Sequence, residues 1–378
     1  MKSDILVVGG GPAGATLARN LALGGRDVIL IDRATFPRHK ACGGGLSRHT
    51  IRALDLDFSP VVETEVNRLV VDGAWTGRFS IPLPAEKTCR VVNRQNFDAF
   101  LVKQAVSAGV QLLESHTLQN VTRKNGGFEV TTSKGTIYAN IICACDGASS
   151  KTGRALGFPS NQHLTVALEA LATPEQDNRA KQEAIFNFAC IPMGYGWIFP
   201  RQSSLAIGVS SAQAIKSQSL HHYLKQFIHH SKELRHLKID HIKGGVLPSF
   251  HTARAIYAEK NAYLVGDAAG FVDRFTGEGI HFAVKSGKLA AEAILGDGVA
   301  HYEHAVRSSI IPELELAAKW ANLVFRLPLW LFGGIMSTPM YRHYLHYFVD
   351  IFVGASTYRE MLREKKWTAK MLERYNPS

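Results

Sequence analysis

The first part of the chain alternates short apolar runs with one helical pattern. The run Ile5–Val8 ends in glycines, Pro12–Leu23 has apolar residues at helical spacing, and Asp27–Ile31 is apolar again. A loop rich in glycine and arginine, Arg33–Ser47, follows. A strand, a helix and a second strand in this order are typical of the βαβ unit that begins a parallel sheet.

The middle of the chain has a different pattern from its two ends. Over about residues 160–260, strand-like runs separated by turn residues predict an antiparallel sheet, with one long polar helix at Leu220–Leu237. Before this region the pattern predicts a helix at Asn93–Ala108, and after it a buried strand at Ala262–Val265 and a helix at Gly279–Leu295. The predicted strands of the middle region are Leu164–Leu171, Glu183–Phe188, Gly194–Pro200 and Leu205–Ser210.

The composition is that of an ordinary globular protein. Of the 378 residues, 46% are hydrophobic and 20% are charged, which is too apolar for a disordered chain and too mixed for an integral membrane protein. The five cysteines have neither metal-ligand spacing nor the spacing of a disulfide framework, so no metal site is expected. The first apolar run begins at Ile5 and is followed at once by glycines, unlike a signal peptide. A cytoplasmic protein is expected.

The chain is basic. Lysine and arginine number 43 against 32 aspartates and glutamates, which gives a formal net charge of +11. This charge suits an anionic partner such as a phosphate-bearing cofactor, anionic lipid or nucleic acid. The most basic stretch, Lys216–Lys243, is interpreted as a solvated helix face. It has no nucleic-acid-binding motif and no interleaved stacking aromatics, so nucleic acid is not an expected partner.

The last eighty residues are predicted to be helical, and they contain an unusually apolar run at Leu327–Met336. This run is broken by a proline and two glycines and is too short to span a bilayer, which needs about 20 apolar residues. Two interpretations stay open. The run is either a helical cap over the core or a greasy surface, including Trp330, Leu331 and Phe332, that meets a lipid or a membrane.

A glycine motif joins the first predicted strand to the first predicted helix. Gly9, Gly11 and Gly14 fit G-x-G-x-x-G, and Asp32 ends the next strand. Gly9 allows the tight turn, Gly11 lets the backbone approach a pyrophosphate, and Gly14 lets the helix lie close to the strand. The helix N-terminus offers free N–H groups to the phosphates. Asp32 would accept hydrogen bonds from the ribose hydroxyls and repel a 2′-phosphate, so NAD or FAD is expected rather than NADP.

A second glycine cluster decides between these two dinucleotides. Tyr263–Gly270 is a strand that ends in Gly-Asp, and Thr276–Ile280 leads into a helix that begins at Gly279. This arrangement fits the far half of FAD, because Asp267 would accept a hydrogen bond from a ribitol hydroxyl and the helix N-terminus would face the pyrimidine edge of the isoalloxazine. The sequence has no second strand–G-x-G-x-x-G–helix unit, so NAD(P)H or another external electron donor is expected to bind only transiently.

The predicted fold class is therefore α/β with an α+β insertion. A discontinuous, Rossmann-like FAD-binding domain is expected over residues 1–158 and 250–300, with some strands near 60–90 belonging to the second domain. An antiparallel-sheet substrate domain is expected over 159–249, and a helical C-terminal region over 301–378.

Several segments together resemble one family. The order of the Gly9–Gly14 motif, Asp146-Gly147 and Gly266-Asp267 is similar to that of FAD-dependent enzymes of the para-hydroxybenzoate hydroxylase fold. Within that group the chain is identified as a member of the geranylgeranyl reductase family. The segments that carry this resemblance are Pro37–Leu46 (PRHKACGGGL), Tyr195–Pro200 (YGWIFP), Gly266–Gly270 (GDAAG), Thr276–Ile280 (TGEGI) and Gly354–Arg359 (GASTYR). The resemblance covers nearly the whole chain and implies an FAD-bound reductase that saturates isolated C=C bonds in isoprenoid chains.

The resemblance also implies which residues contact FAD. Arg94 matches an arginine that would pair with the pyrophosphate, and Leu118 matches a position whose backbone meets the adenine. Cys42 would lie over the flavin as a catalytic residue that supplies a proton or shapes the cavity, and packing without chemistry is the alternative. The expected FAD contacts are Gly9, Gly11, Ala13, Gly14, Asp32, Arg33, Ala41, Cys42, Gly44, Arg94, Leu118, Asp267, Gly279 and Ile280.

The substrate cavity is expected next to the flavin. Tyr195, Trp197 and Phe199 share one face of a predicted strand, since side chains alternate with period two. They would line an apolar cavity, with a plain sheet core as the alternative. Where the family usually has a proline after Gly-Asp-Ala-Ala-Gly, this chain has Asp273-Arg274-Phe275. Arg274 would bind an anionic head group in the cavity or else lie outward on its loop.

The predicted function is FAD-dependent reduction of a C=C bond in an isoprenoid or another long apolar chain. The expected partner is an apolar, prenyl-type small molecule or lipid, reached with peripheral contact to the inner face of a membrane. Two alternatives stay open. One is an FAD-dependent monooxygenase that acts on an aromatic or polyene substrate, and the other is a non-catalytic flavin-fold protein that binds a lipid.

Overall fold

The computed structural model describes residues 1–72, 78–160, 163–173, 182–188, 190–213, 216–326 and 347–364. The predicted α/β fold class is confirmed: a largely parallel sheet and a largely antiparallel sheet lie in one chain with helices at its C-terminal end. The apolar run Leu327–Met336, with Trp330, Leu331 and Phe332, lies outside the described residues. Among those described, no helix is both long and apolar enough to cross a bilayer.

The first sheet carries the nucleotide-type topology. Its order is β17-β18-β11-β1-β2-β8, with β10 paired to β11 and β9 paired to β10. The pairs from β18 to β8 are parallel, and β1 lies between β11 and β2. The strands are β1 Lys2–Val8, β2 Val28–Ile31, β8 Gln111–Leu113, β9 Leu118–Lys124, β10 Gly127–Thr132, β11 Gly135–Ala144, β17 Ala258–Glu259 and β18 Ala262–Leu264.

The second sheet has the order β16-β12-β15-β14-β13-β5-β6, and every pair in it is antiparallel except β13 with β5. A small third sheet, in the order β3-β7-β4, is formed by strands within residues 45–92. The strands of the second sheet are β5 Arg68–Asp72, β6 Arg78–Pro82, β12 Leu164–Thr173, β13 Glu183–Asn187, β14 Gly194–Pro200, β15 Leu205–Ser211 and β16 Lys238–Pro248. Those of the third are β3 Gly45–Leu46, β4 Val62–Val66 and β7 Cys89–Val92. The domain boundaries proposed from the sequence stay a prediction.

The helices pack on both large sheets and form the C-terminal region. They are α1 Pro12–Leu23, α2 Arg48–Ala53, α3 Arg94–Ser107, α4 Lys151–Ala155, α5 Ser217–His230, α6 Ile280–Leu295, α7 Val299–Ser309, α8 Ile311–Arg326 and α9 Tyr358–Glu364, and residues 347–353 are also helical. Helices α1 and α6 lie close together at Gly287, because this residue has no side chain. A Cβ there would lie only 2.7 Å from the carbonyl oxygen of Ala13. Asn93 caps α3 by accepting a hydrogen bond from the Gln95 N–H at 2.9 Å.

The basic stretch Lys216–Lys243 is not one long helix, so the prediction of a helix at Leu220–Leu237 is wrong at its C-terminal end. Helix α5 stops at His230, because Ser231 takes an extended conformation and its hydroxyl donates to Glu233 at 2.9 Å. The chain then enters β16, an edge strand with mostly exposed or half-buried side chains. Its mixed polar sequence lacks the regular alternation that marks a strand with one buried face, and for this reason it was missed.

Candidate active site

A cavity of about 900 Å³ collects side chains from both large sheets and from the loops between them. The loop after β2, the Gly-rich segment Ala41–Gly45, strand β14 and the segment Thr276–Ile280 all reach it. The sequence predicted a cofactor at the first sheet and a substrate at the second. The structure brings the residues assigned to both into one continuous space.

The three glycines of the N-terminal motif have different positions at this cavity. Gly9 has a φ of +106°, and a Cβ there would lie 2.4 Å from the carbonyl oxygen of Cys145. Gly11 lines the cavity, and the nearest atom to a Cβ at this position would be Nη2 of Arg38 at 3.8 Å. Gly14 does not line the cavity, because its Cα faces the carbonyl oxygen of Gly9, which a Cβ would approach to 1.9 Å. Gly11 is therefore the position where a side chain would extend into the space.

Asp32 lies at the end of β2 and is held by backbone donors. The N–H of Gly10 donates to Oδ2 at 2.8 Å, and the N–H of Ala34 donates to Oδ1 at 2.9 Å. Arg38 lies 3.7 Å from the same carboxylate. These contacts fix the carboxylate at the cavity wall, next to Arg33. This is where a ribose would be held.

Arg94 lines the cavity but is already paired within the protein. Its Nε and Nη2 donate to the two carboxylate oxygens of Asp98 at 2.8 and 2.9 Å, and Asp98 also lies 3.2 Å from Nη1 of Arg38. Burial alone would lower the pKa of Arg94, but Asp98 and the neighbouring Cys42 thiol raise it above its ordinary value. The guanidinium therefore stays charged at the cavity wall, where it can face a phosphate or the flavin.

The far end of the cavity has the predicted Gly-Asp and helix elements. Asp267, Gly279 and Ile280 all line the space, and burial raises the pKa of the Asp267 carboxyl. Helix α6 starts at Ile280, and no side chain caps its N-terminus at Gly279. Leu118, at the start of β9, and Ala13, in α1, also line the cavity, as do Ala41 and Gly44.

These features fit FAD. One end of the space has a helix N-terminus with Gly11 open toward it, and the other end has a second uncapped helix N-terminus beside Asp267. Anionic phosphates and the pyrimidine edge of a flavin are the groups that such helix ends stabilise. Of the fourteen expected FAD contacts, Gly14 alone lies behind the cavity wall rather than in it.

The aromatic wall, which we define as Tyr195, Trp197 and Phe199, lies on β14 and faces the same cavity. Tyr195 donates a short hydrogen bond to the carbonyl oxygen of Thr276, which joins this wall to the segment that precedes α6. The indole Nε1 of Trp197 is buried and has no hydrogen-bond partner among the described residues. It lies next to Gly43, where a Cβ would approach Nε1 to 2.8 Å. The aromatic wall is thus mainly apolar, and the indole N–H of Trp197 is a hydrogen-bond donor without an acceptor among the described residues.

Arg274 does not line the cavity, so the expectation that it faces the substrate is not supported by its position. The neighbouring Asp273 side chain is buried, and it accepts from the Tyr358 hydroxyl at 2.8 Å and from the N–H of Phe275 at 2.7 Å. This anchoring leaves Arg274 on the other side of the loop, where burial and the nearby charge of Arg326 lower its pKa. Arg274 is half-buried there, and its Nε is buried without a hydrogen-bond partner among the described residues, so the outward alternative does not fit fully either.

Cys42 is held in the cavity wall by a buried ion pair that the sequence analysis missed. Its N–H donates to Oε2 of Glu169 at 2.6 Å, and its carbonyl oxygen accepts from Nη2 of Arg201 at 3.3 Å. Glu169 and Arg201 are themselves 3.0 Å apart and almost fully buried. Burial raises the pKa of Glu169. Glu169 lies on β12 and Arg201 directly follows β14, both distant in sequence from Cys42, so no local signal could have revealed the ion pair.

Glu278 is a second residue of the site to which the sequence analysis gave no role. Its carboxylate oxygen Oε1 accepts from the hydroxyls of Ser47 and Thr50, the latter at 3.2 Å. Burial, with a smaller contribution from Asp273, raises the pKa of Glu278 to about 7. The signal that could have found it is a carboxylate inside a Gly-rich segment that leads into a flavin-facing helix.

Comparison with known proteins identifies the family. The chain matches the FAD binding domain family over residues 2–294. It is 30% identical over 315 residues to digeranylgeranylglycerophospholipid reductase 2 of Methanosphaera stadtmanae, covering 78% of this chain and 79% of that protein. It belongs to the geranylgeranyl reductase group of FAD-dependent oxidoreductases. The resemblance drawn from the sequence motifs is thereby confirmed.

One further relative and one solved structure are similar to this chain. The chain is 29% identical over 328 residues to menaquinone reductase of Mycolicibacterium smegmatis, covering 80% of this chain and 79% of that one. Its fold matches the crystal structure of a geranylgeranyl bacteriochlorophyll reductase-like protein from Thermoplasma acidophilum with a TM-score of 0.80 at 22% identity, covering 88% of this chain and 90% of that one. At this identity the structural match supports the fold alone.

Proposed function

We propose that this reductase saturates a C=C bond in an isoprenoid or another long apolar chain at the cavity described above. The observation that carries the proposal is that the aromatic wall and the expected FAD contacts line one space. Relatives named for reducing digeranylgeranylglycerophospholipid and menaquinone are consistent with a prenyl chain as the substrate. FAD, when bound, would supply the hydride.

The role of the protein's own residues in this reaction is to bury the alkene and hold it in place. Tyr195, Trp197 and Phe199 offer an apolar aromatic surface, and Phe186 and Phe352 extend it within the cavity through edge-to-face ring contacts. The close fit of Trp197 against Gly208, where a Cβ would approach the indole ring to 2.2 Å, fixes the ring orientation. Exclusion of water and alignment of the bond are the main sources of rate acceleration available to such a site.

The electron donor is proposed to be NAD(P)H or another external two-electron donor that binds transiently. Asp146 lines the cavity, but its carboxylate accepts from the N–H and the hydroxyl of Thr152, both at 2.9 Å. We therefore assign it to the N-terminus of α4 rather than to a donor site.

The decisive experiment is an anaerobic single turnover. FAD-loaded protein would be reduced with dithionite and mixed with digeranylgeranylglycerophospholipid in detergent. We expect the flavin to be reoxidised and the lipid mass to rise by one hydrogen molecule for each bond reduced. Product that forms only with oxygen uptake would instead favour the monooxygenase, and no redox activity with any donor would favour a lipid-binding role.

Peripheral membrane contact belongs to the same proposal. The net charge of +11 would draw the protein to anionic lipid, at roughly 1 kcal/mol for each basic residue near the surface. Flotation with anionic liposomes at low salt, lost at high salt, is the expected result. Protein that stays at the bottom of the gradient at low salt would contradict it.

A further inference from the structure

We propose that Glu278 is the acid that protonates the second alkene carbon during the reduction. This inference rests on the proposed function and supplies the proton donor that the function requires.

Glu278 lies where the cofactor end of the cavity meets the aromatic wall. The next residue, Gly279, precedes the N-terminus of α6 that would face the flavin. The residues just before it touch the wall, because Tyr195 bonds the carbonyl oxygen of Thr276 and a Cβ at Gly277 would lie 2.9 Å from the Tyr195 hydroxyl. Glu278 itself lines the cavity between these two contacts. An alkene stacked between flavin and wall would therefore lie beside it.

The carboxyl group is held by one oxygen. The hydroxyls of Ser47 and Thr50, at the start of α2, both donate to Oε1. The other oxygen, Oε2, has no hydrogen-bond partner within the described residues. One oxygen is thus anchored against the protein, and the other is free to carry a proton to the cavity. A carboxyl with a merely structural role would be expected to use both oxygens.

The surroundings favour the protonated form. Burial is the main cause that raises the pKa of Glu278 from an ordinary 4.5 to about 7, and the buried Asp273 adds to it. The hydroxyls of Ser47 and Thr50 donate to the carboxylate and lower this pKa, but burial outweighs them. The other groups that interact with Glu278, apart from Asp273, are uncharged: Cys89, Tyr195 and Tyr358. Arg48, the cation next to Ser47, acts on the Cys89 thiol. A sizeable fraction of Glu278 therefore keeps its proton near neutral pH.

Glu278 would supply only the proton of the reduction. Reduced FAD, when bound, would supply the hydride equivalent for a C–H bond at one alkene carbon. At the other carbon the π electrons of the alkene form a C–H bond as the O–H bond of Glu278 breaks, and the electron pair of that O–H bond stays on the carboxylate oxygen. The alkene thus gains two electrons and two hydrogens. The oxidised flavin would be reduced again by a reduced-nicotinamide-type donor, and the carboxylate regains its proton from water.

The test compares Glu278→Gln with Glu278→Asp and with a matched control, Glu313→Gln. Glu313 is also a partly buried carboxyl whose pKa is raised by burial, but it accepts from the Tyr358 N–H at 2.9 Å and does not line the cavity. Each FAD-loaded protein would be reduced with dithionite without oxygen and mixed with digeranylgeranylglycerophospholipid in detergent. We expect E278Q to bind and reduce FAD normally but to lose alkene reduction about 100-fold or more, the usual contribution of a general acid.

Two further results are expected from the same proteins. E278D should recover part of the rate, and E313Q should stay close to the wild type. The wild-type rate should fall as the pH rises above about 7, because the acid loses its proton, and E278Q should lack this fall.

A second readout does not depend on turnover. Because the folded protein keeps the Glu278 proton up to a pH of about 7 and the unfolded chain loses it near 4.5, stability should fall as the pH rises through this window. The difference in unfolding temperature between the wild type and E278Q should therefore change steadily across that range. A flat difference would show that Glu278 is not protonated there and would overturn the proposal.

The outcomes separate the two claims. An active wild type with an equally active E278Q overturns the proton donor and leaves the proposed function in place. A wild type that binds FAD but reduces no prenyl alkene overturns the proposed function and the donor role together. Loss of activity with loss of FAD binding in E278Q would assign the residue to cofactor binding and would also overturn the inference.

Discussion

The two ends of the cavity are built in different ways. The dinucleotide end is formed by backbone: Gly9, Gly11 and the N-terminus of α1 come from one short segment, and Asp32 follows one strand later. The substrate end is formed by side chains from distant parts of the chain. Cys42, Glu169, the aromatic wall and Glu278 meet there from four separate segments.

The difference explains what each end tolerates. A surface formed by backbone atoms cannot adapt by side-chain rotation, and any side chain added at Gly11 would occupy the space meant for the cofactor. A side-chain surface is held by contacts such as the Glu169–Arg201 ion pair and the hydrogen bond from Tyr195 to Thr276. Substitutions at the dinucleotide end should therefore abolish binding, whereas those at the substrate end should change rate and selectivity while FAD stays bound.

The largest expected effect is at Gly11. Gly11→Val should abolish FAD retention, because its Cβ would extend into the space where the pyrophosphate is expected. The backbone there has a φ of −77° and a ψ of −177°, which valine adopts without strain, so the apo protein should still fold. The flavin released on denaturation and the unfolding temperature of the apo protein measure the two effects separately.

A matched change at Gly14 sharpens this prediction. Gly14→Ala would bring a Cβ to 1.9 Å from the Gly9 carbonyl oxygen, so it should destabilise the fold itself. A Gly11→Val protein that keeps its flavin, or one that unfolds as readily as Gly14→Ala, would contradict the assignment of Gly11 to the open side of the wall.

A smaller effect is expected at Trp197, in the aromatic wall. Trp197→Ala should leave FAD bound but slow the reduction of a prenyl lipid, because the indole is lost from the apolar wall that would hold the alkene. It should also lower the free energy of unfolding by about 3–5 kcal/mol, since the side chain is only 7% exposed. Flavin content, single-turnover rate and chemical denaturation measure these outcomes.

The control for Trp197→Ala is Trp320→Ala. Trp320 lies in α8, also has a buried indole N–H without a partner among the described residues, and does not line the cavity. It should lose some stability and keep its rate. Equal losses of rate in the two variants would mean that Trp197 affects the rate only through the stability of the fold. The proposal that the aromatic wall contacts the substrate would then be contradicted.

The dinucleotide end of the cavity could be predicted from the sequence, whereas much of the substrate end could not. Helix α1 begins and ends where its apolar spacing predicted, and the glycines and Asp32 came from a local motif. The aromatic wall followed from period-two alternation on one strand. Glu169 and Arg201 lie far from Cys42 in sequence, and their contact depends on strands of the second sheet meeting the loop after β2. The position of Arg274 depended on Asp273 bonding to Tyr358, a residue of the last described helix.

The smallest expected effect is at Cys42. Cys42→Ser should keep FAD and lower the rate of alkene reduction only by roughly fivefold, because the serine hydroxyl is smaller and less acidic than the thiol but still forms hydrogen bonds. The loop itself should not move, because its N–H and carbonyl oxygen are held by Glu169 and Arg201 whatever side chain is present. Cys190→Ser is the control, because that thiol is buried outside the cavity. The single-turnover rates of both variants decide the matter. An unchanged rate in Cys42→Ser would leave Cys42 as packing alone, whereas a loss as large as that of E278Q would show that the thiol takes part in the proton transfer together with the carboxyl.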